Sequence, residues 1–230
     1  EHTFSLTGNT KYEKATKVVL DPNARERKKI KKQKIIFELV RDAFREDNKF
    51  TPYLTKTDIS KLNKIDQEFE QYEMTDEFFK RALETYNGIA KIGIDNYYLD
   101  MTVSIIKDAN KDYKNKAVSE TLKRIKKNTS LKDKKDIIVN ALFHLQNHIT
   151  QTIAAKYSGK TLPKKLQSSM NRFSKLYEKC VKTLSNPKSS SENILSDVNT
   201  LTNLKEINSV KFLINGEENE KLSEIYLKNN

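Results

Sequence analysis

Apolar residues recur along this chain at three-to-four spacing, the period of an amphipathic helix. Ile30, Phe37, Val40 and Phe44, with Ile36 and Ala43 beside them, predict a first helix running to about Asp47. Asp21-Pro22 supplies its start signal, an N-cap followed by proline at the first helical position. Before Ile30 there is charge but no apolar stripe, so this end is expected to project from the core, solvated on all sides. Thr51-Pro52 interrupts the pattern, and Leu62, Ile65, Phe69 and Tyr72 then predict a second, acidic helix over 57–73. Thr75-Asp76-Glu77 opens a third, with carboxylates in its first turn. Its core face is Phe79, Ala82, Leu83, Tyr86, Ile89 and Ala90, and Gly88 and Gly93 weaken it near its end. A fourth helix, about 96–110, presents Leu99, Val103 and Ile106, and residues 111–127 continue as helix with a thin stripe of Ala117, Val118, Leu122 and Ile125.

Ser130 caps the next helix and Gly159 ends it, with Ile138, Ala141, Leu142, Leu145, Ile149 and Ile153 on the buried face. Residues 162–184 carry the cleanest stripe: Leu166, Met170, Phe173, Leu176 or Tyr177, Cys180 and Leu184. Asn186-Pro187 stops it, and Ser189 with Glu192 reads as a capping box. Ile194, Leu195, Val198, Leu201, Leu204 and Ile207 build a further helix. Asn215-Gly216 is a turn before a short closing helix with Leu222, Ile225 and Tyr226. The expected organisation is a flexible leader over 1–20 and a single α-helical domain over 21–230, with 186–193 as a linker before a C-terminal helical hairpin.

Composition agrees. Five Gly and four Pro among 230 residues are too few for the tight turns of a sandwich or an α/β fold, whereas long helices need neither. The expected fold class is therefore all-α, a bundle of about seven helices with a basic N-terminal helical extension. Cys180 is the only cysteine, which excludes an intrachain disulfide, and its apolar helix face predicts a buried thiol. The uncharged stretch Asn140–Ala155, 16 residues within the longer uncharged run from Ile137, is rich in Gln, Asn, His and Thr, unlike the ~20 apolar residues that a membrane span requires.

Charge changes the picture more than any motif. The formal net charge is +12, yet residues 192–230 carry −3, so the rest holds +15. Residues 25–34 have seven basic side chains and one acidic, residues 105–135 have eleven basic, and residues 156–182 have eight basic and one acidic. Such an imbalance favours polyanionic partners, although a lysine- and asparagine-rich surface that is merely solvated has the same composition. Arg25, Arg27, Lys28, Lys29, Lys31, Lys32 and Lys34 form the first candidate row. Lys123, Arg124, Lys126 and Lys127 form the second, and Lys164, Lys165 and Arg172 the third. Rows of this kind track phosphates and release counterions, but the chain gathers no Arg, Asn and Gln on one helix N-terminus to read bases.

Catalytic signals are missing. There is no Gly-rich phosphate loop, no nucleophile elbow and no HExxH helix. His144 and His148 have metal-chelating spacing, but only His2, in the leader, remains to complete a site. Asp66, Glu68, Glu70 and Glu73 fall on several faces of one helix and read as a solvated face. The chain is expected to be non-enzymatic, without metal or cofactor. A protein receptor would instead need an exposed aromatic patch, for which Tyr97-Tyr98 is the candidate.

The stretches KKIKKQKIIFELVRDAF, ETLKRIKKNTSLKDKKDIIVNAL and SSMNRFSKLYEKCVKTLSN resemble the plasmid-encoded surface lipoproteins of Lyme-disease spirochaetes (Borrelia). The likeness is one of overall character and is nearest to paralogous family twelve, with family fifty-four as runner-up. The first resemblance implies a helical protein that binds DNA without sequence preference. The second implies an immune-evasion protein that binds a host protein such as a complement regulator. Both imply display on the outer cell surface, tethered by a lipid-bearing cysteine upstream of Glu1, so that the membrane is met only through that anchor. The chain begins without Met, as expected of a trimmed piece.

Overall fold

The computed structural model describes residues 26–46 and 48–204. Seven α-helices and one 3₁₀ segment account for 83% of those residues, with no strand among them. The helices are α1 (Glu26–Glu46), α2 (Lys56–Gln71), α3 (Asp76–Tyr113), α4 (Lys116–Leu122), α5 (Leu131–Lys156), α6 (Lys164–Ser185) and α7 (Ser191–Thr202). The expected all-α class is what the chain adopts. The leader, Asp21-Pro22, Arg25, Ile207 and the closing turn and helix lie outside the described residues.

The single domain expected over 21–230 resolves into two compact units, the first ending at Tyr97 and the second beginning at Tyr98. The division falls inside α3, where no Pro, Gly or Ser run announces it. Residues 186–193 are not a linker: α6 and α7 pack against each other across them.

The first unit has an aromatic core. Phe37, fully buried on α1, meets the rings of Phe69, Phe78 and Tyr86 at 4.6, 6.1 and 5.8 Å, and Phe44 meets Tyr86 at 6.0 Å. Such ring pairs add to the area they bury. Thr55 caps α2 through a capping box with Asp58, and Thr75 accepts from Phe78 N–H at the start of α3. Caps of this type are worth about 1 kcal/mol each. Gly93 does not end its helix. A Cβ there would lie 3.1 Å from Phe50 Cβ, so this glycine lets the 3₁₀ segment Asn48–Tyr53 approach α3. The break expected at 93–96 is therefore absent, and α3 runs on for 38 residues.

The core of the second unit is mainly aliphatic: Leu99, Ile106, Leu122, Ile138, Leu142, Ile149, Leu166, Ile194 and Leu201 are among its buried side chains, with Tyr113 and Phe173 beside them. α5 packs on both α4 and α6. Ser130 caps α5 as expected, by accepting from Asp133 N–H at 3.1 Å. The cap of α7 is Ser190 rather than Ser189, because Ser190 Oγ accepts from Asn193 N–H. Helix does not continue through 111–127. It stops at Tyr113, restarts at Lys116, and ends at Leu122, leaving Lys126 and Lys127 in a loop. Lys114 sits at φ +50° in that corner. Cys180 is buried, and burial pushes its thiol up to about 12. No helix among the described residues is long and apolar enough to cross a membrane.

Candidate polyanion-binding surface

The three predicted rows fare differently. On α1, Arg27, Lys28, Lys31, Lys32 and Lys34 are exposed, while the opposite face buries Gln33, Ile36, Phe37 and Val40. Lys29 departs from the row. Its ammonium lies 2.7 Å from Asp76, and buried Gln33 donates to the same carboxylate at 2.6 Å. These bonds hold the Asp76 carboxyl below its ordinary range and the Lys29 ammonium above its own. Glu26, Arg27 and Lys28 stay exposed, as expected, while Lys29 is tied to the start of α3.

The carboxylates of α2 are likewise not a merely solvated face. Asp66 accepts from Arg45 at 2.9 Å and from the buried phenol of Tyr86. Glu68 pairs with Arg81 at 2.7 Å, and Glu70 lies 3.7 Å from Arg41. Arg41 also covers the Phe37 and Phe69 rings. Burial, reinforced by Asp66, holds the Tyr86 phenol well above its usual range. Three arginines of the first unit, on α1 and α3, are thus committed to carboxylates of α2. Tyr97 and Tyr98 are half-buried, and Tyr97 packs edge-on against Phe50 at 5.5 Å, so they do not form the exposed patch expected of a receptor site.

The second unit holds the other two rows. Lys123, Arg124, Lys126 and Lys127 are exposed beyond α4, and Lys164, Lys165 and Arg172 are exposed on α6. The sequence reading did not single out most of the residues that line one concavity here. Lys107 and Lys111 from the last turns of α3, Lys114 in the corner after it, Lys116 from the start of α4, and Lys123 just past α4 line a concavity of about 500 Å³. Asn110, Ser119 and Leu122 complete the lining, which holds no carboxylate among the described residues.

The corner is fixed from within. Asn110, buried, donates to Asn115 O and Ser119 Oγ, both at 3.0 Å, and accepts from Asn115 N–H at 3.1 Å. Asn115 in turn caps α4 by accepting from Val118 N–H. Lys114 N–H reaches back to Asn110 O at 2.7 Å, which closes the turn in the left-handed region that lysine seldom adopts. A concave surface lined by one sign of charge focuses its field on whatever enters. One spacing in the sequence carries this signal: Lys107, Lys111 and Lys114 stand at i, i+4 and i+7, on one helical face.

His144 and His148 are not joined by further ligands among the described residues. Among the described residues no group of three or more His, Cys, Asp or Glu stands together as a metal site requires. His148 packs edge-on against Tyr113 at 6.3 Å, its Nε2 without a hydrogen-bond partner, and burial lowers its pKa. Comparison of the chain with protein-family models, with curated proteins and with solved structures finds no match.

Proposed function

We propose that this protein is a non-enzymatic binder of DNA or related polyanions, with little preference for sequence. The observation that carries the reading is the concavity of the second unit, where five lysines meet without a carboxylate in the lining. The exposed rows on α1, beyond α4 and on α6 extend basic surface over both units. Lysine is a flexible point charge suited to phosphates and poorly suited to reading base edges. The same reading places the protein at the outer cell surface on a lipid anchor, in keeping with the spirochaetal resemblance.

The test is fluorescence anisotropy with unrelated duplexes of equal length. Their affinities agree within about threefold, and log affinity falls with log salt at roughly −0.9 per phosphate neutralised. Reversing Lys123, Arg124, Lys126 and Lys127 to Glu weakens every duplex alike and flattens that slope. A flat salt response, or strong preference for one duplex, overturns the reading. The alternative, capture of a host protein such as a complement regulator, draws on Ile35 and Leu39, which are half-exposed one helical turn apart on α1. It predicts binding that survives high salt and is lost in Leu39→Ser.

A further inference from the structure

A row of lysines on a flat or convex helix face suits the flank of a duplex, which runs along it. The corner between α3 and α4 has a different shape. Its concavity of about 500 Å³, half open to solvent, has the volume of a small-ligand site rather than the extended track of a duplex. Its charge is also concentrated. Lys107, Lys111, Lys114, Lys116 and Lys123 all contribute to one lining, and of these Lys111 is partly neutralised by Asp108, 3.1 Å away. A single phosphate, at about −2, leaves most of that charge unmatched.

The geometry points to a discrete site for a compact anion with two or more adjacent phosphate groups, either free in solution or at the 5′ end of a nucleic-acid strand. This rests on the polyanion reading above and narrows it to one site and one ligand class. Two further observations favour it. Lys107 and Lys111 lie four residues apart on α3, about 6 Å along the axis at 1.5 Å per residue, and Lys114 follows just past its end. Their flexible stems close that distance onto a short phosphate chain. The wall is also preorganised, since every polar atom of the Asn110 amide is occupied in holding the corner and none depends on a ligand. Preorganisation lowers the ordering cost of binding.

Titration calorimetry with sodium tripolyphosphate and with orthophosphate tests the site directly, using the full chain at about physiological salt. The expected result is one tripolyphosphate per chain, bound at least tenfold more tightly than orthophosphate. The double variant Lys111→Gln/Lys123→Gln loses at least tenfold in tripolyphosphate affinity. So does Lys114→Gly, which suits the backbone at φ +50° and keeps the corner folded. The double variant Lys31→Gln/Lys32→Gln, on α1, binds tripolyphosphate as the parent does. A second arm compares one single-stranded oligonucleotide with a 5′-triphosphate and with a 5′-hydroxyl. At least fivefold preference for the triphosphate assigns the site to strand ends, and equal binding assigns it to the free anion. Non-saturable binding, equal affinity for the two phosphates, or equal loss in the α1 variant overturns the inference. If duplexes still bind in that event, the inference fails alone. If duplexes fail as well, the polyanion reading falls with it.

Discussion

The two units deploy similar side chains to different ends. In the first, four cations are spent on internal pairing, Lys29 on Asp76, Arg41 on Glu70, Arg45 on Asp66 and Arg81 on Glu68, each joining one helix to another, while the row on α1 stays exposed. In the second, Lys134 and Lys179 pair between helices, with Asp100 and Asp197. Five other lysines there gather around one hollow. The cores differ in parallel, aromatic in the first unit and mainly aliphatic in the second. Arginine forks match carboxylates and stack on rings, so arginine accompanies the aromatic core and its acidic helix. Lysine, strongly hydrated, stays at the surface and remains available. Net charge alone does not distinguish a basic surface that holds a fold together from one left open to a ligand; the partner of each cation does.

The largest expected effect tests the two cores. Phe37→Ala in the first unit removes a fully buried ring that meets three others, and destabilises by about 3–5 kcal/mol in urea unfolding. Leu142→Ala in the second costs about 2–5 kcal/mol. A loss under 1 kcal/mol for Phe37→Ala would mean that the aromatic cluster is not what holds the first unit.

A smaller effect separates structural from available charge. Asp66→Asn strips the charged acceptor from Arg45 and from the buried Tyr86 phenol, and costs about 1.5–3 kcal/mol. Lys111→Gln, at the hollow, changes stability by no more than about 0.5 kcal/mol. The comparison breaks if the two substitutions cost the same.

The smallest effect is a pH dependence. Burial depresses the His148 pKa in the folded chain, so below its ordinary value of 6.5 the unfolded chain takes up a proton that the folded one does not. Stability therefore declines as pH falls below 6.5 and levels off below the folded pKa. Asp76 acts lower on the scale. Its pKa is held below 3.8 by Lys29 and Gln33, so its contribution is full above 3.8 and lost as pH falls through the folded value. Urea midpoints between pH 7 and 4.5 show a decline that His148→Gln flattens and Asp76→Asn leaves in place. The opposite pattern would reassign the acid sensitivity to the first unit.

Much of this fold was legible in order along the chain. The stripes at Phe37, Val40 and Phe44, at Ile138 through Ile153, and at Leu166 through Leu184 are the buried faces the structure shows. Burial at 3.6-residue spacing is a local property, recorded in each helix by itself. Thr75 and Ser130 were readable as caps for the same reason, since a cap acts within its own first turn. The α3–α4 boundary was not, because lysines and short apolar stripes suit one long helix as well as two. What breaks it is the Asn110–Asn115–Ser119 network, which forms only once the turn has closed. The site was half legible: Lys123 stood in a predicted row, whereas Lys107, Lys111, Lys114 and Lys116 counted only toward regional charge.

The sequence by itself determined the class of this protein. An all-α chain with a strong positive excess follows from helical periodicity, scarce Gly and Pro, and a count of ionisable groups, none of which needs distant residues to meet. Tertiary structure alone decided which cations are already paired and which stand together. Lys29 and Asp76 lie 47 residues apart in sequence and 2.7 Å apart in space. The lysines of α3 and α4 line one hollow because the chain turns at Lys114. Coulomb energy depends on distance through space, and folding sets that distance.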